Sequence, residues 1–208
     1  MKCQIRIFHN NMKFEKEYFV DSSYSNYKDY RQKKYKQTVN DLIKSVPINL
    51  QDKILDYGAA TGAVIYEFIQ RGVNNVVGTD ISYWAIESGR KLYGLSNDNL
   101  QHHNRQLLEI DFDLVLFLDI LEHVTTEEIE KIFSLLKSNK IVVRLPVSKK
   151  EGEDFVLDVS KNDKTHIQIH DKDWWSSLFD KFGFNTLSVL DESSIYESEG
   201  VFSRVLSR

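Results

Sequence analysis

Two carboxylates and two glycines in this sequence stand at a spacing suited to holding a nucleoside. The run Ile54-Leu-Asp-Tyr-Gly-Ala-Ala-Thr-Gly62 reads as a strand that enters a glycine turn and then a helix. Gly58 has no side chain, so backbone can approach a ligand closely there. The helix that follows offers unpaired N–H groups at its start. Dinucleotide-binding turns share this design in the form G-x-G-x-x-G. Here the spacing is Asp56-x-Gly58-x-x-x-Gly62, with Ala59 and Ala60 inside the turn and a carboxylate at the strand end. That charge repels a diphosphate and attracts an amino group. A second carboxylate, Asp80, ends the next strand, 18 positions after Gly62. In that place it can accept both hydroxyls of a ribose. Asp80 therefore marks a nucleoside without naming it.

The elements that must position these residues alternate. After Pro47, strands are expected over 53–57, 75–80, 99–103, 113–119, 140–145, 185–190 and 201–206. Asp113-Leu-Val-Leu-Phe-Leu-Asp119 is almost wholly apolar, as a strand covered on both faces should be. Helices are expected over 63–71, from Ser82 to Gly94, from Thr125 or Thr126 to about Lys137, and over 171–182, where Trp174, Trp175, Leu178, Phe179 and Phe182 face inward. The polar stretch from Ser148 to Thr165 reads as a loop. The last two strands are joined without room for a helix, so the last strand should be antiparallel. The expected fold is α/β, a doubly wound, mostly parallel seven-stranded sheet with a terminal antiparallel strand.

The first 46 residues differ from the remainder, 47–208. They carry Tyr18, Tyr24, Tyr27, Tyr30 and Tyr35 among many lysines, and a helical apolar spacing through Val39, Leu42, Ile43 and Val46 that Pro47 closes. They are read as a helical, tyrosine-rich segment packed on the main domain. Across 208 residues, 41% are hydrophobic and 28% charged, enough for one domain with a full core. The formal net charge of -4 argues against a protein that coats nucleic acid. The single cysteine, Cys3, forms no internal disulfide, and no Cys/His cluster has zinc spacing, so no metal is expected. No apolar run is long enough for a membrane span, and Met1 to Phe14 lacks the apolar stretch of a signal peptide, so the expected location is the cytoplasm.

The stretch from Ile54 to Val124 resembles the class I S-adenosylmethionine-dependent methyltransferases, particularly the broad ubiquinone-biosynthesis-like group. It does so on three ordered motifs: the turn Asp56 to Gly62, the acid Asp80, and Asp119-Ile-Leu-Glu-His-Val124 after the fourth strand. The resemblance implies S-adenosyl-L-methionine as cofactor, held by Asp56, Gly58, Ala59, Gly62 and Asp80. It places Ile81 and Trp84 beside the adenine, unless they are simply core. Asn104 would stand near the adenine amino group, and Asp119 and Leu121 beside the methionine end. Ala60 departs from the family, which has glycine there; its methyl group fits if φ stays below zero.

The same resemblance makes His123 the candidate general base for a hydroxyl acceptor, with a structural histidine bonded to the backbone as the other reading. Glu122 reads as a helix-start residue. Asp163-Lys-Thr-His166, followed by the Trp174 helix and Gly183-Phe184, is similar to a pattern in methyltransferases of glycan and natural-product pathways. That likeness implies that His166 or His170 lines the acceptor pocket; the alternative is a surface loop with two solvated histidines. Tyr24, Tyr27 and Tyr30 would close over the cofactor as a lid.

Together these readings point to methyl transfer to a small-molecule acceptor, by preference an oxygen of a saccharide, quinone or natural product. A nucleic-acid or protein methyltransferase is the alternative, kept open by the basic cluster from Lys28 to Lys44. Against it, Asp119-Ile-Leu-Glu122 is not the [DN]-P-P-[FYW] motif of enzymes acting on base amines. A non-catalytic module that binds S-adenosylmethionine and, more distantly, an NAD dehydrogenase complete the set.

Overall fold

The computed structural model describes residues 14–21 and 33–208. Seven strands form one sheet: β1 (Ile54–Tyr57), β2 (Val76–Asp80), β3 (Leu100–His102), β4 (Leu114–Leu118), β5 (Lys140–Pro146), β6 (Asn185–Val189) and β7 (Val201–Ser207). Their order is β3-β2-β1-β4-β5-β7-β6. The first five pair in parallel, while β7 inserts antiparallel between β5 and β6. This is the expected mostly parallel sheet with an antiparallel last strand.

Side chains alternate across the central strands and divide the core into two layers. Leu55, Val115, Phe117, Ile141 and Val143 face one side, where they meet helices α5 (Thr126–Leu135) and α7 (Lys172–Lys181). Ile54, Leu114, Leu116 and Val142 face the other, against α2 (Lys33–Ser45), α3 (Ala63–Ile69) and α4 (Tyr83–Tyr93). Val39, Leu42 and Val46 recur at helical spacing and are buried, so α2 is seated in the core of the main domain. Tyr24, Tyr27 and Tyr30, read as a lid, lie outside the described residues.

Helix α1 (Lys16–Val20) lies over the glycine turn and α4: Tyr18 and Phe19 are buried with Ala85, and Phe19 stacks on Trp84 with ring centroids 5.4 Å apart. Helix α4 starts at Ser82, whose Oγ accepts from the Ala85 N–H at 3.0 Å.

Two expectations change. The stretch from Ser148 to Thr165 is not only loop: it contains α6 (Asp158–Lys161), after a bridge between Ser148 and Phe155. A four-residue turn is too short to leave a periodic signal, and buried Phe155 and Ser160 anchor it. In α7, Trp175, Leu178 and Phe179 are buried, but Trp174 and Phe182 are only half-buried against the same core, and Trp174 stacks on His170 at 3.6 Å. Among the described residues no helix is long and apolar enough to cross a membrane.

Helix α4 reaches the turn because Gly89 presents only backbone there: a Cβ on Gly89 would lie 1.9 Å from the Thr61 carbonyl oxygen. Backbone cannot swing aside as a flexible side chain can. Gly89→Ala should therefore cost about 2 kcal/mol or more, read as a lowered urea midpoint at unchanged slope. Unchanged stability would show that α4 does not close on the turn in this way.

Candidate active site

At the C-terminal ends of β1, β2, β4 and β5 the chain encloses a cavity of about 450 Å³, where open α/β sheets place their ligands. Helix α1, through Tyr18 and Phe19, and Phe14 just before it form one wall. The strand ends supply the polar groups.

The glycine turn is held in shape by Asp80. The Ala60 N–H donates to its Oδ2 at 2.8 Å, and the Ser82 N–H to its Oδ1 at 2.8 Å. Gly58 takes φ +89°, and a Cβ there would meet Ile120 Cγ1 at 2.6 Å. The condition set for Ala60 fails: its φ is +47°, in the left-handed region. A non-glycine residue there carries about 1–2 kcal/mol of strain, offset by the Ala60–Asp80 hydrogen bond and by Ala60 packing against the Tyr18–Phe19 cluster. Asp56 is buried beside Asp80. Burial first, then repulsion by Asp80, pushes its carboxyl up to about 7. Burial also raises Asp80, against the hydrogen bonds that lower it.

The opposite end is built from two distant segments. A 3₁₀ turn, Leu121–His123, follows β4, and its Glu122 carbonyl accepts from the Ile167 N–H at 2.8 Å and the Gln168 N–H at 3.1 Å. This clamp brings His123 and His166 together, with ring centroids 4.7 Å apart. His123 Nδ1 faces Thr165 Oγ1 at 2.9 Å and the Thr165 carbonyl at 3.2 Å. The Thr165 hydroxyl in turn donates to Asp163 Oδ1 at 2.6 Å. His166 Nδ1 donates to the Ser160 carbonyl at 3.0 Å. Each Nδ1 therefore carries the ring proton, and each Nε2 keeps a free lone pair. Burial, then the neighbouring His166, holds His123 down to about 4, so it is neutral at neutral pH. Burial also lowers His166. Glu122 is 1% exposed, and burial with the nearby Asp119 raises its carboxyl well above the usual range. Asp119 itself sits at φ +54° and pairs with Arg144.

Of the residues singled out from sequence, Asp56, Gly58, Ala59, Asp80, Ile81, Asp119, His123 and His166 line this one cavity. Gly62, Asn104 and Leu121 do not. Gly62 starts α3 at φ +73°, against Leu95 and Leu100. Asn104 caps a short 3₁₀ helix, and its N–H donates to Thr79 Oγ1 at 3.0 Å. Leu121 is buried in the core beneath the site. His170 also stands apart, paired with Glu151 at 2.8 Å. Sequence reasoning passed over Thr165 and Arg144, took residues 1–46 as a lid segment without singling out Phe14, Tyr18 or Phe19 for the site, and set Glu122 aside. The adjacency of Glu122 and His123, with Asp-x-Thr-His further on, was the available signal for one of them.

The site fits an adenosyl cofactor. A carboxylate has about four acceptor positions, and backbone N–H groups of Ala60, Ser82 and Ile81 bear on Asp80, so acceptor capacity remains toward the cavity for a ribose hydroxyl. Gly58 and Ala59 expose backbone beside it in the same cavity.

A family model described as a methyltransferase domain matches residues 27–189. The chain belongs to that family, as a class I S-adenosylmethionine-dependent methyltransferase. No curated protein matches it in sequence. Solved structures share its fold at low identity. Magnesium protoporphyrin IX methyltransferase from Synechocystis PCC 6803, crystallised with bound SAH, is 18% identical, with 84% of each chain covered and a TM-score of 0.59. A SAM-dependent methyltransferase from Archaeoglobus fulgidus is 15% identical over 87% of this chain and 97% of that one, TM-score 0.61. A structure of the Haloferax volcanii Trm112 methyltransferase activator with a putative methyltransferase contains a chain 13% identical, over 91% of this chain and 95% of its own, TM-score 0.65.

The raised Asp56 carboxyl has a consequence for the ligand-free protein. An acid whose folded pKa lies above its unfolded value contributes stability that is present below the unfolded pKa and lost as pH rises through the folded one. For Asp56 that window runs from 3.8 to about 7. Asp56→Asn should remove this loss, so the melting temperatures of variant and wild type should diverge in the variant's favour between pH 4 and pH 8. Parallel melting curves across that range would refute the burial of an ionised Asp56.

Proposed function

We propose that the protein transfers a methyl group from S-adenosyl-L-methionine to an oxygen of a small-molecule acceptor held at the histidine end of the cavity. One observation carries this reading: the carboxylates Asp56 and Asp80 and the histidines His123 and His166 line the same cavity. A cofactor end and an acceptor end thus share one space.

In this reading Asp56 attracts the cofactor's amino group, Gly58 and Ala59 offer backbone, Asp80 takes the ribose hydroxyls, Ile81 lies against the adenine, and Asp119 flanks the methionine end. Gly62, Asn104 and Leu121 act from behind, by setting the start of α3, the segment after β3 and the turn after β4. When bound, the cofactor supplies a methyl group already activated on a positively charged sulfur, which passes to the acceptor oxygen as the acceptor's proton leaves. The chain's own task is positioning and exclusion of water. Phe14, Tyr18 and Phe19 wall the cavity, which supports the N-terminal segment as a cover. His123 and His166 hold and activate the acceptor oxygen, with their free Nε2 atoms fixed by the bonds at Nδ1. A small acceptor suits a site walled by a helix in a chain of net charge -4 better than a polyanion does.

Asp80→Ala should weaken S-adenosylmethionine binding by roughly 100-fold, since hydrogen bonds to a charged group are lost, measured by calorimetry on protein shown to be folded. His123→Ala should leave that affinity within a few-fold and lower turnover by about 100-fold, read as S-adenosylhomocysteine release with a panel of hydroxylated small molecules. Normal binding by Asp80→Ala would overturn the ribose assignment.

A further inference from the structure

Glu122, His123 and His166 each turn one donor atom toward the others, and these three atoms lie within 4.8 Å of one another. We infer that they form a binding site for one divalent first-row transition cation at the acceptor end of the cavity. The inference rests on the proposed reading of that end as the acceptor site, and deepens it by making the histidines act on the acceptor through an ion.

Three observations carry it. First, spacing: Glu122 Oε1 and His166 Nε2 are 4.0 Å apart. Two ligands at ordinary bond lengths of ~2.0–2.2 Å on opposite sides of one ion stand about as far apart. Second, Glu122 Oε2 is buried and, among the described residues, has no hydrogen-bond partner. A buried carboxylate without a partner is costly unless a cation or donor meets it. The adjacent charges do not supply one. Asp163 is a further acid, 3.9 Å from His166 Nε2, and Arg144 is engaged by Asp119.

Third, both imidazoles are prepared as ligands. Metal-binding histidines commonly donate the other ring N–H to a carbonyl or carboxylate, which fixes the tautomer. His166 does so to the Ser160 carbonyl, and His123 to Thr165, whose hydroxyl leads on to Asp163. Two imidazoles and one carboxylate suit zinc, manganese, iron, cobalt or nickel better than magnesium or calcium. The three protein donors line a cavity, so an ion held by them keeps positions open toward it. A cation there would polarise an acceptor oxygen and ease loss of its proton.

No metal was expected from the sequence, because ligand spacing was sought within one local motif. Glu122 and His123 are neighbours, but His166 lies 43 positions beyond His123 and meets them only through the Glu122 carbonyl clamp.

The test uses full-length protein stripped with chelator and dialysed against Co²⁺. One ion should bind per chain, with visible absorption of a nitrogen- and oxygen-ligated cobalt that Zn²⁺ abolishes. Glu122→Gln and His166→Gln, each checked for cooperative melting, should weaken binding at least about tenfold. His170→Ala, at the separate Glu151 pair, should leave it unchanged. Absence of a stoichiometric site, or wild-type affinity in either Glu122→Gln or His166→Gln, overturns the inference. So does loss of the spectrum in His170→Ala. Calorimetry with S-adenosylmethionine on the stripped protein separates the two claims. Failure there strikes the cofactor reading, whereas normal cofactor binding with no cobalt site strikes the cation alone.

Discussion

Asp80 receives two backbone N–H groups, from Ala60 and from Ser82, and so ties the turn after β1 to the start of α4. Much else follows from that buried carboxylate. It supports Ala60 in a left-handed conformation that an alanine adopts only under constraint. It stands against Asp56 on the neighbouring strand, so that two like charges share a dry site and Asp56 holds its proton more tightly. Gly89 lets α4 approach the same turn closely enough for the arrangement to close. A local electrostatic demand thereby sets the backbone path of the region that faces the cavity.

The fold was legible because its signals are local. Apolar runs, turn residues and the short β6–β7 connection together dictated a mostly parallel sheet with one reversed strand. That Asp56, Gly58 and Asp80 line one cavity was legible for the same reason, since all three are tied to strand ends by short spacing. The sign of φ at Ala60 was not, because the Ala60 N–H donates to a carboxylate 20 positions away. Helix α6 was hidden, since one turn leaves no period to detect.

The histidine end shows where local reading stops. His123 has a motif around it and His166 a weaker one, but nothing in either predicts that Glu122 offers its backbone carbonyl to the chain beside His166. Glu122 looked like a residue chosen for a helix start. In the structure its side chain is buried with an oxygen that no described residue meets, while its carbonyl joins the two segments. Trp174 misled in the opposite sense: its helical position promised full burial, yet it is only half-buried against the core, with its ring stacked on His170.

Helix α1 spans five residues and its Glu15 cap makes no side-chain hydrogen bond. So short a helix has almost no stability of its own in water. Its order must come from Phe14 and Tyr18 set edge-on to His123 and from Phe19 stacked on Trp84. Those same rings wall the cavity. Occupancy of the cavity and order in α1 are therefore thermodynamically linked: an occupant that touches the rings favours the helix, and the formed helix raises the occupant's affinity by the same factor. The ring contacts that order α1 and the lining of the cavity are thus one set of atoms, so a substitution at Phe14, Tyr18 or Phe19 acts on both at once.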